Sequence, residues 1–462
     1  MSALAKSLTR AAWSALGGAE NAVQSITFTH AGELPSRYAV TDFASATIAA
    51  AGLALFQLLE KRGTTRLAAV VDRRLASFWF GLSIRPRGWQ LPQIWDPIAG
   101  DYPTLDGWIR LHTNAPHHRA AVERVLGAHR DKENVGRAVA GWCKGELEQA
   151  VIEAGGCAAE MRTATEWALH RQGIALANEP LTHNMEVGSG PSPHWKVSRE
   201  RPLAGVRVLD LTRVLAGPVA GRFLAGYGAE VLRIDPPGWD EPGIVPEVTL
   251  GKRCARLDLD RSDHRAIFER LLSQTDILLH GYRPGALAGL GYGPAACQAL
   301  TPGLVDVCLD AYGWSGPWAA RRGFDSLVQM SSGIADTGMR WRNADRPVPL
   351  PVQALDQGTG YLMAAAAIRG LTLRLERGVG FAARLSLART ANLLVEAGDQ
   401  ADVSPLAPET PVDLMSTPEV TDWGDAHRVL PPLSIAGTPM HWDIPARKLG
   451  SAEPRWDRPG TP

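Results

Sequence analysis

The chain runs to 462 residues with 45% apolar content, enough for two or three domains with buried cores. Lysine plus arginine equals aspartate plus glutamate, 48 against 48, which argues against a polyelectrolyte binder of nucleic acid or anionic lipid and for an enzyme of small molecules. The five cysteines, Cys143, Cys157, Cys254, Cys297 and Cys308, are scattered without a CxxC pair, so a reducing compartment is expected and a disulfide frame or zinc site is not. No apolar run of the roughly 20 residues that span a bilayer is read, and the N-terminus lacks an apolar signal core, so the expected location is cytoplasmic.

Residues 2–16 read as a first amphipathic helix, a short transit peptide being the alternative. After Pro35, SRYAVTDFASATIAAAGLALFQLLEKRG predicts an Ala/Gly-rich helix opened by Asp42, followed by a strand over 67–71. The stretch 91–180 is Trp-rich, with a DG turn at Asp106 and Gly107, a strand over 108–111 and helices over 118–126 and 135–153, and reads as a separate small α+β domain. Ser, Gly and Pro mark 181–202 as a linker.

The segment 203–237 predicts strand, helix, strand: Val206, Val208 and Leu211 are β-formers, Pro218 suits a first helical turn, Gly228 suits the residue just past a helix end, and a second strand covers 231–234. A helix over 263–273, a strand over 277–279, a loop through Arg283, Pro284 and Gly285, and a strand over 304–309 continue the alternation. The fold class is therefore α/β, with a parallel Rossmann-like sheet flanked by helices. After Pro349, LPVQALDQGTGYLMAAAAIRGL opens at Asp356 and leads to a strand over 382–387. Asp42 and Asp356 each stand seven residues after a proline and open similar helices, so the element is duplicated. The expected organisation is a partial large-domain segment over 1–90, the small domain over 91–180, the linker, the large domain over 203–395, a second linker over 396–421 and a C-terminal return over 422–462.

The phrases LAGVRVLDLTRVLAGPVAGRFLAGYGAEVLRIDPPG, GKRCARLDLD, YRPGALAGLGYG and AYGWSGPWAARRGFDSLVQMSSG resemble, in order and spacing, the large domain of family III CoA-transferases, the CaiB/BaiF and formyl-CoA transferase group. Residues 36–180 resemble the part of that family from its catalytic aspartate through its small domain, and LPPLSIAGTPMHWDIPARKLG resembles its C-terminal return. The family's segments are thus permuted and partly duplicated here. The resemblance implies an enzyme that moves CoA between carboxylic acids: an aspartate attacks the acyl-CoA carbonyl, a mixed anhydride forms, and an aspartyl-CoA thioester completes the exchange. It also implies a homodimer of interlocked chains.

By that resemblance Asp356, in ALDQGTG, is the expected nucleophile and Asp42, in VTDFASAT, the second candidate; from the residues alone, capping of the helix remains open for both. Gly358 and Gly360 are expected to leave room for the approaching thioester, and backbone N–H groups near the helix start to hold an oxyanion. CoA is expected along Val214, Leu215 and Ala216, with Lys252, Arg253 and Arg283, beside Tyr282, offsetting phosphate charge. Acyl-CoA enters as substrate and no metal is expected, since His112, His117 and His118 lack ligand spacing. Pro236 and Gly289 stand where relatives are often basic, which weakens or rebuilds CoA recognition. Phe324 stands where racemase relatives carry a histidine base, which favours transfer over racemisation, and Asp325 reads as a structural hydrogen-bonding residue. Two rivals are a nicotinamide-dependent oxidoreductase, against which AGPVAG lacks the GxGxxG fingerprint, and a non-catalytic paralogue acting as a partner subunit.

Overall fold

Strands rich in Val, Ile and Leu, apolar on both faces, cannot leave either face in water, so they assemble into a sheet covered on both sides. The computed structural model describes residues 3–61, 63–64, 67–238, 240–400 and 404–457. Its main sheet has seven strands in the order Lys252–Arg256, Glu230–Asp235, Arg207–Leu211, Ile277–His280, Val305–Asp310, Val379–Ser386 and His183–Ser189. The first six are mutually parallel and the last is an antiparallel edge. The order reverses between Arg207–Leu211 and Ile277–His280, where the helices leaving the two strands diverge and a crevice opens at their C-terminal ends.

The predicted strand–helix–strand at 203–237 is present: the helix Ala216–Gly226 carries Pro218 in its first turn, and Gly228, at φ 105°, takes the left-handed position just past the helix end. Three expectations change. The stretch expected as a linker supplies the strand His183–Ser189, which pairs antiparallel with Val379–Ser386 and forms that edge of the sheet. The helix expected over 135–153 is two helices, Lys132–Val139 and Lys144–Glu153, separated around Gly141. The helix Val40–Glu60 is long and apolar enough to cross a membrane, contrary to the sequence reading, yet is almost wholly buried inside the protein. Residues 1–2, 401–403 and 458–462, which fall within the expected first segment, second linker and C-terminal return, lie outside the described residues.

The duplication is visible in the backbone. Strand Ile26–Thr29 leads to helix Val40–Glu60 and then to the parallel strand Ala69–Asp72, whose Asp72 side chain accepts the first amides of helix Arg73–Phe80. Strand Val305–Asp310 leads to helix Ala354–Arg377 and the parallel strand Val379–Ser386, whose Ser386 does the same for helix Leu387–Glu396. The residues before the two long helices share one conformation, φ −76° and ψ 64° at Ala39 and φ −73° and ψ 64° at Gln353. Only the second copy carries, between strand and helix, the added helices Asp325–Ser331 and Ile334–Arg342.

The two long helices pack on each other, and Ala354–Arg377 also packs on Ala216–Gly226. Glycine permits both contacts: a Cβ at Gly358 would lie 2.4 Å from the Phe43 ring, and one at Gly360 would lie 2.4 Å from the Ala216 carbonyl. The small sheet Gly100–Pro103, Trp108–Leu111, Ala158–Glu160 and its helices hold a separate apolar cluster. The C-terminal segment returns to the large domain, with Leu433–Ile435 pairing antiparallel to Ala69–Asp72 and Trp442 stacked on Trp79 at 5.6 Å. Distant parts of the chain meet at the buried Glu247, which accepts the Ser83 amide at 3.0 Å and Arg428 Nη1 at 3.1 Å and pairs with Arg222.

Lys252 is wholly buried, donating to Asp210 Oδ2 at 2.7 Å and to the Pro218 carbonyl at 2.8 Å. It ties two strands to the helix Ala216–Gly226. Lys252→Ala strands the Asp210 carboxylate, so urea unfolding is expected to show a loss of about 3–5 kcal/mol.

Candidate active site

Asp356 is the third residue of its helix, and the residue at the cap position, Gln353, makes no side-chain cap. Asp356 therefore does not cap the helix it opens. That work falls to Asp325, whose Oδ2 accepts the amides of Leu355 and Asp356, each at 2.9 Å. Asp325 is fixed in turn by Gln329 Nε2, while Gln329 Oε1 accepts the Leu350 amide at 2.7 Å. The structural reading of Asp325 is what the geometry shows, and the first-turn amides expected to hold an oxyanion are already bonded to it.

The Asp356 carboxylate lies in the wall between two cavities. The first, of about 490 Å³, is enclosed by Gly81 and Leu82, by Ile94, Trp95 and His112 of the small domain, by Glu241 and Ile244, and by Phe324 and Val352. The loop of Glu241 closes on the small domain at Gly243, where a Cβ would meet the Gln93 carbonyl at 2.6 Å. The second cavity, of about 320 Å³, occupies the crevice at the sheet's switch point, between Leu211–Arg213, Gly281–Pro284 and Leu309–Ala311. Asp356, Val214 and Phe324 line both.

Among the described residues no cation pairs with the Asp356 carboxylate and no donor is hydrogen-bonded to it. Burial, then the charges of Asp325 and Glu241, push its pKa well above the ordinary carboxylate range. Burial likewise raises Asp325 to about 6 and raises Glu241, which is held by the Val214 amide at 2.9 Å. Val214 takes a left-handed φ of 63°, a costly conformation for a β-branched residue, and it does so at the junction of the two cavities.

The expected CoA-contacting residues divide. Val214, Ala216, Tyr282 and Arg283 line the second cavity, and Leu215 lines the first. The amides of Ala216 and Gly217, at the start of an eleven-residue helix, bond no acceptor among the described residues. Arg213, Arg321 and Arg322 join Arg283 around this cavity. Lys252 is not available to a ligand, being consumed by Asp210, and Arg253 sits on the far edge strand against Asp457 at 2.8 Å and Glu230. Gly358 and Gly360 face neighbouring helices instead of an incoming thioester. Gly289 lies on the surface in open space, while the Pro236 carbonyl accepts Arg256 Nη1 at 2.9 Å.

Asp42 occupies the matching helical position in the first copy, but its Oδ1 accepts Arg73 Nε at 2.9 Å and Nη2 at 2.7 Å, and Arg73 also pairs with Glu33. The two aspartates share a backbone and differ in electrostatics. Sequence reasoning missed Glu241, for which no motif exists, and the small-domain wall of Trp95 and His112, which no local pattern assigns to a site.

Fold and site define a doubly wound α/β protein with an unpaired carboxylate at the meeting point of a cavity lined by carboxylates and a cationic one. Residues 203–404 match the family model described as CoA-transferase family III. A probable fatty acyl-CoA transferase of Mycobacterium tuberculosis is 34% identical over 193 residues, 39% of this chain and 48% of that protein. The human succinyl-CoA:glutarate CoA-transferase is 30% identical over 254 residues, 52% of this chain and 55% of that protein. A CaiB/BaiF family protein of Brucella suis aligns structurally with a TM-score of 0.38 at 24% identity, over 49% of this chain and 65% of that one. The chain spans about half the length of the curated relatives it matches.

A carboxyl whose folded pKa is raised favours the folded state fully below the ordinary carboxylate range and loses that contribution as pH rises through the folded value, about 6 for Asp325. Asp356→Asn removes such a group. Thermal melts are expected to show the variant melting above the parent near about pH 7, with the gap closing toward about pH 4.

Proposed function

We propose that the chain is a CoA-transferase that moves CoA between carboxylic acids with Asp356 as nucleophile. The observation that carries this reading is the position of an unpaired, buried carboxylate in the wall shared by two cavities, one gathering carboxylates and the other arginines. The cationic cavity suits the phosphorylated cofactor: Arg283 and Arg213 supply charge, and the free amides of Ala216 and Gly217 supply donors at a helix N-terminus. The first cavity offers Leu82, Ile94, Trp95, Ile244, Phe324 and Val352 to the acyl group. The Asp356 carboxylate attacks the thioester carbonyl, the CoA thiolate leaves, and an aspartyl anhydride results; return of the thiolate gives aspartyl-CoA and releases the first acid. An acceptor carboxylate then repeats the sequence in reverse.

Burial without a partner raises the basicity of the attacking carboxylate and spares it the loss of a cation before reaction. Asp42, by contrast, is held by Arg73, and the proposal assigns it a structural part. Racemisation is disfavoured by Phe324, which has no proton to exchange. A homodimer and a cytoplasmic location belong to the same reading; sedimentation of the purified chain as a monomer would remove the dimer. A second reading, a non-catalytic partner subunit, draws on Pro236, Gly289 and the partial match to relatives.

The test is to incubate the protein with acyl-CoAs, trap with hydroxylamine, and map the modified residue by mass spectrometry. Label at Asp356 is expected, absent in Asp356→Ala and retained in whatever Asp42→Asn protein folds. Failure to label or to retain any CoA ester would favour the partner subunit. The rate at low acyl-CoA is expected to fall on acidification with a midpoint above the ordinary carboxylate range, because only ionised Asp356 attacks. Arg283→Ala is expected to raise the KM for acyl-CoA by about tenfold, as loss of one charge-assisted contact implies.

A further inference from the structure

The charges around Asp356 are unevenly divided. Four arginines line the cationic cavity, whereas among the described residues no lysine or arginine lines the first one. Four further carboxylates line it besides Asp356: Asp96, Asp240, Glu241 and Asp325. Asp96 and Asp240 are paired with Arg119 and Arg256. Glu241 and Asp325 are bonded to backbone amides, and they raise the pKa of Asp356 by their charge. An acyl chain ending in a second carboxylate would thus be buried beside acids with no cation to receive it, which is unfavourable.

Two buried polar atoms of this cavity's lining residues lack partners. His112 Nδ1 and Ser326 Oγ form no hydrogen bond, and both residues are about nineteen-twentieths buried, at 4% and 5% exposure. Burial holds the His112 pKa well below its usual value, so the ring is a neutral donor or acceptor and not a cation. It is fixed flat on Phe324, ring centroids 3.8 Å apart, and rotation of the Ser326 hydroxymethyl group turns its oxygen. A buried polar group without a partner calls for an explanation, and in a residue that lines a cavity a ligand group can provide the missing partner.

We infer that the first cavity takes an electrically neutral acyl group bearing a hydroxyl or keto oxygen, read by His112 and Ser326, and that it rejects acyl chains carrying a second carboxylate. This rests on the reading of Asp356 as nucleophile and names the substrate class of that site. Asp325 and Glu241 set the exclusion of charge, and Glu241, which does not hold the start of the Asp356 helix, is the one whose substitution tests it.

The full chain is assayed with butanoyl-CoA, the 3-hydroxybutanoyl and 3-oxobutanoyl esters, and succinyl-CoA, reading kcat/KM and label on Asp356. The best oxygenated ester is expected to exceed butanoyl-CoA by about tenfold or more, and succinyl-CoA to fall about 100-fold below it. Ser326→Ala is expected to bring the oxygenated-to-butanoyl ratio near unity, and Glu241→Gln to raise the succinyl-to-butanoyl ratio about tenfold. Succinyl-CoA labelling Asp356 as well as butanoyl-CoA would overturn the inference and leave the transferase standing. Ratios unmoved in both variants would also overturn it. Absence of label from every ester would remove the transferase reading itself, and the inference with it.

Discussion

The close packing of helix Ala354–Arg377 between two other buried helices is the constraint on which the site depends. Gly358 admits the Phe43 ring and Gly360 admits the Ala216 carbonyl, so side chains at either position would push the helix away from its neighbours. With the helix seated, its third residue stands at the mouth of the sheet's switch point. Asp325 then completes the placement by bonding the two amides at the helix start, which lets Asp356 keep its own carboxylate unbonded. The position of one oxygen pair is thus set by contacts from three separate segments of chain.

Electrostatics then divide the space around that carboxylate. The parallel sheet directs its strand ends and a helix N-terminus at one cavity, which gathers arginines, while the small domain closes the other with Trp95, His112 and an acidic loop. A buried carboxylate with only acids for neighbours is held protonated more strongly than usual, and this destabilises the charged form the proposed chemistry needs. Residues of perturbed pKa placed at cavities are a recurrent mark of active sites, and structural ion pairs are the usual alternative. Here the alternative is realised at Asp42, where Arg73 converts the same backbone position into an ion-paired anchor.

That contrast shows how a duplicated element diverges. Both copies keep strand, helix, strand and capped helix, down to the φ and ψ of the residue before the helix. The second copy carries the insertion with Phe324 and Asp325, and with it a cavity wall and a clamp for the helix start. The first lacks the insertion and fills the equivalent place with Arg73 and Glu33.

The sequence by itself determined the alternation of strands and helices over 203–310, the turn chemistry of Pro218 and Gly228, the duplication around Asp42 and Asp356, and the family resemblance. These are local: period, β-branching and glycine or proline positions act within a few residues. It misread Lys252, Gly358 and Gly360, because a lysine in a loop-like phrase and glycines after an aspartate look alike whether they face a ligand or a neighbouring helix. It left 181–202 as a linker, because a short edge strand with mixed polarity has no pattern of its own. Only the tertiary structure decided which aspartate is free, since Arg73 and Asp42 are 31 residues apart and Asp325 and Asp356 likewise. Charge pairing and desolvation depend on distance in space, and that is fixed by packing, not by neighbourhood in the chain.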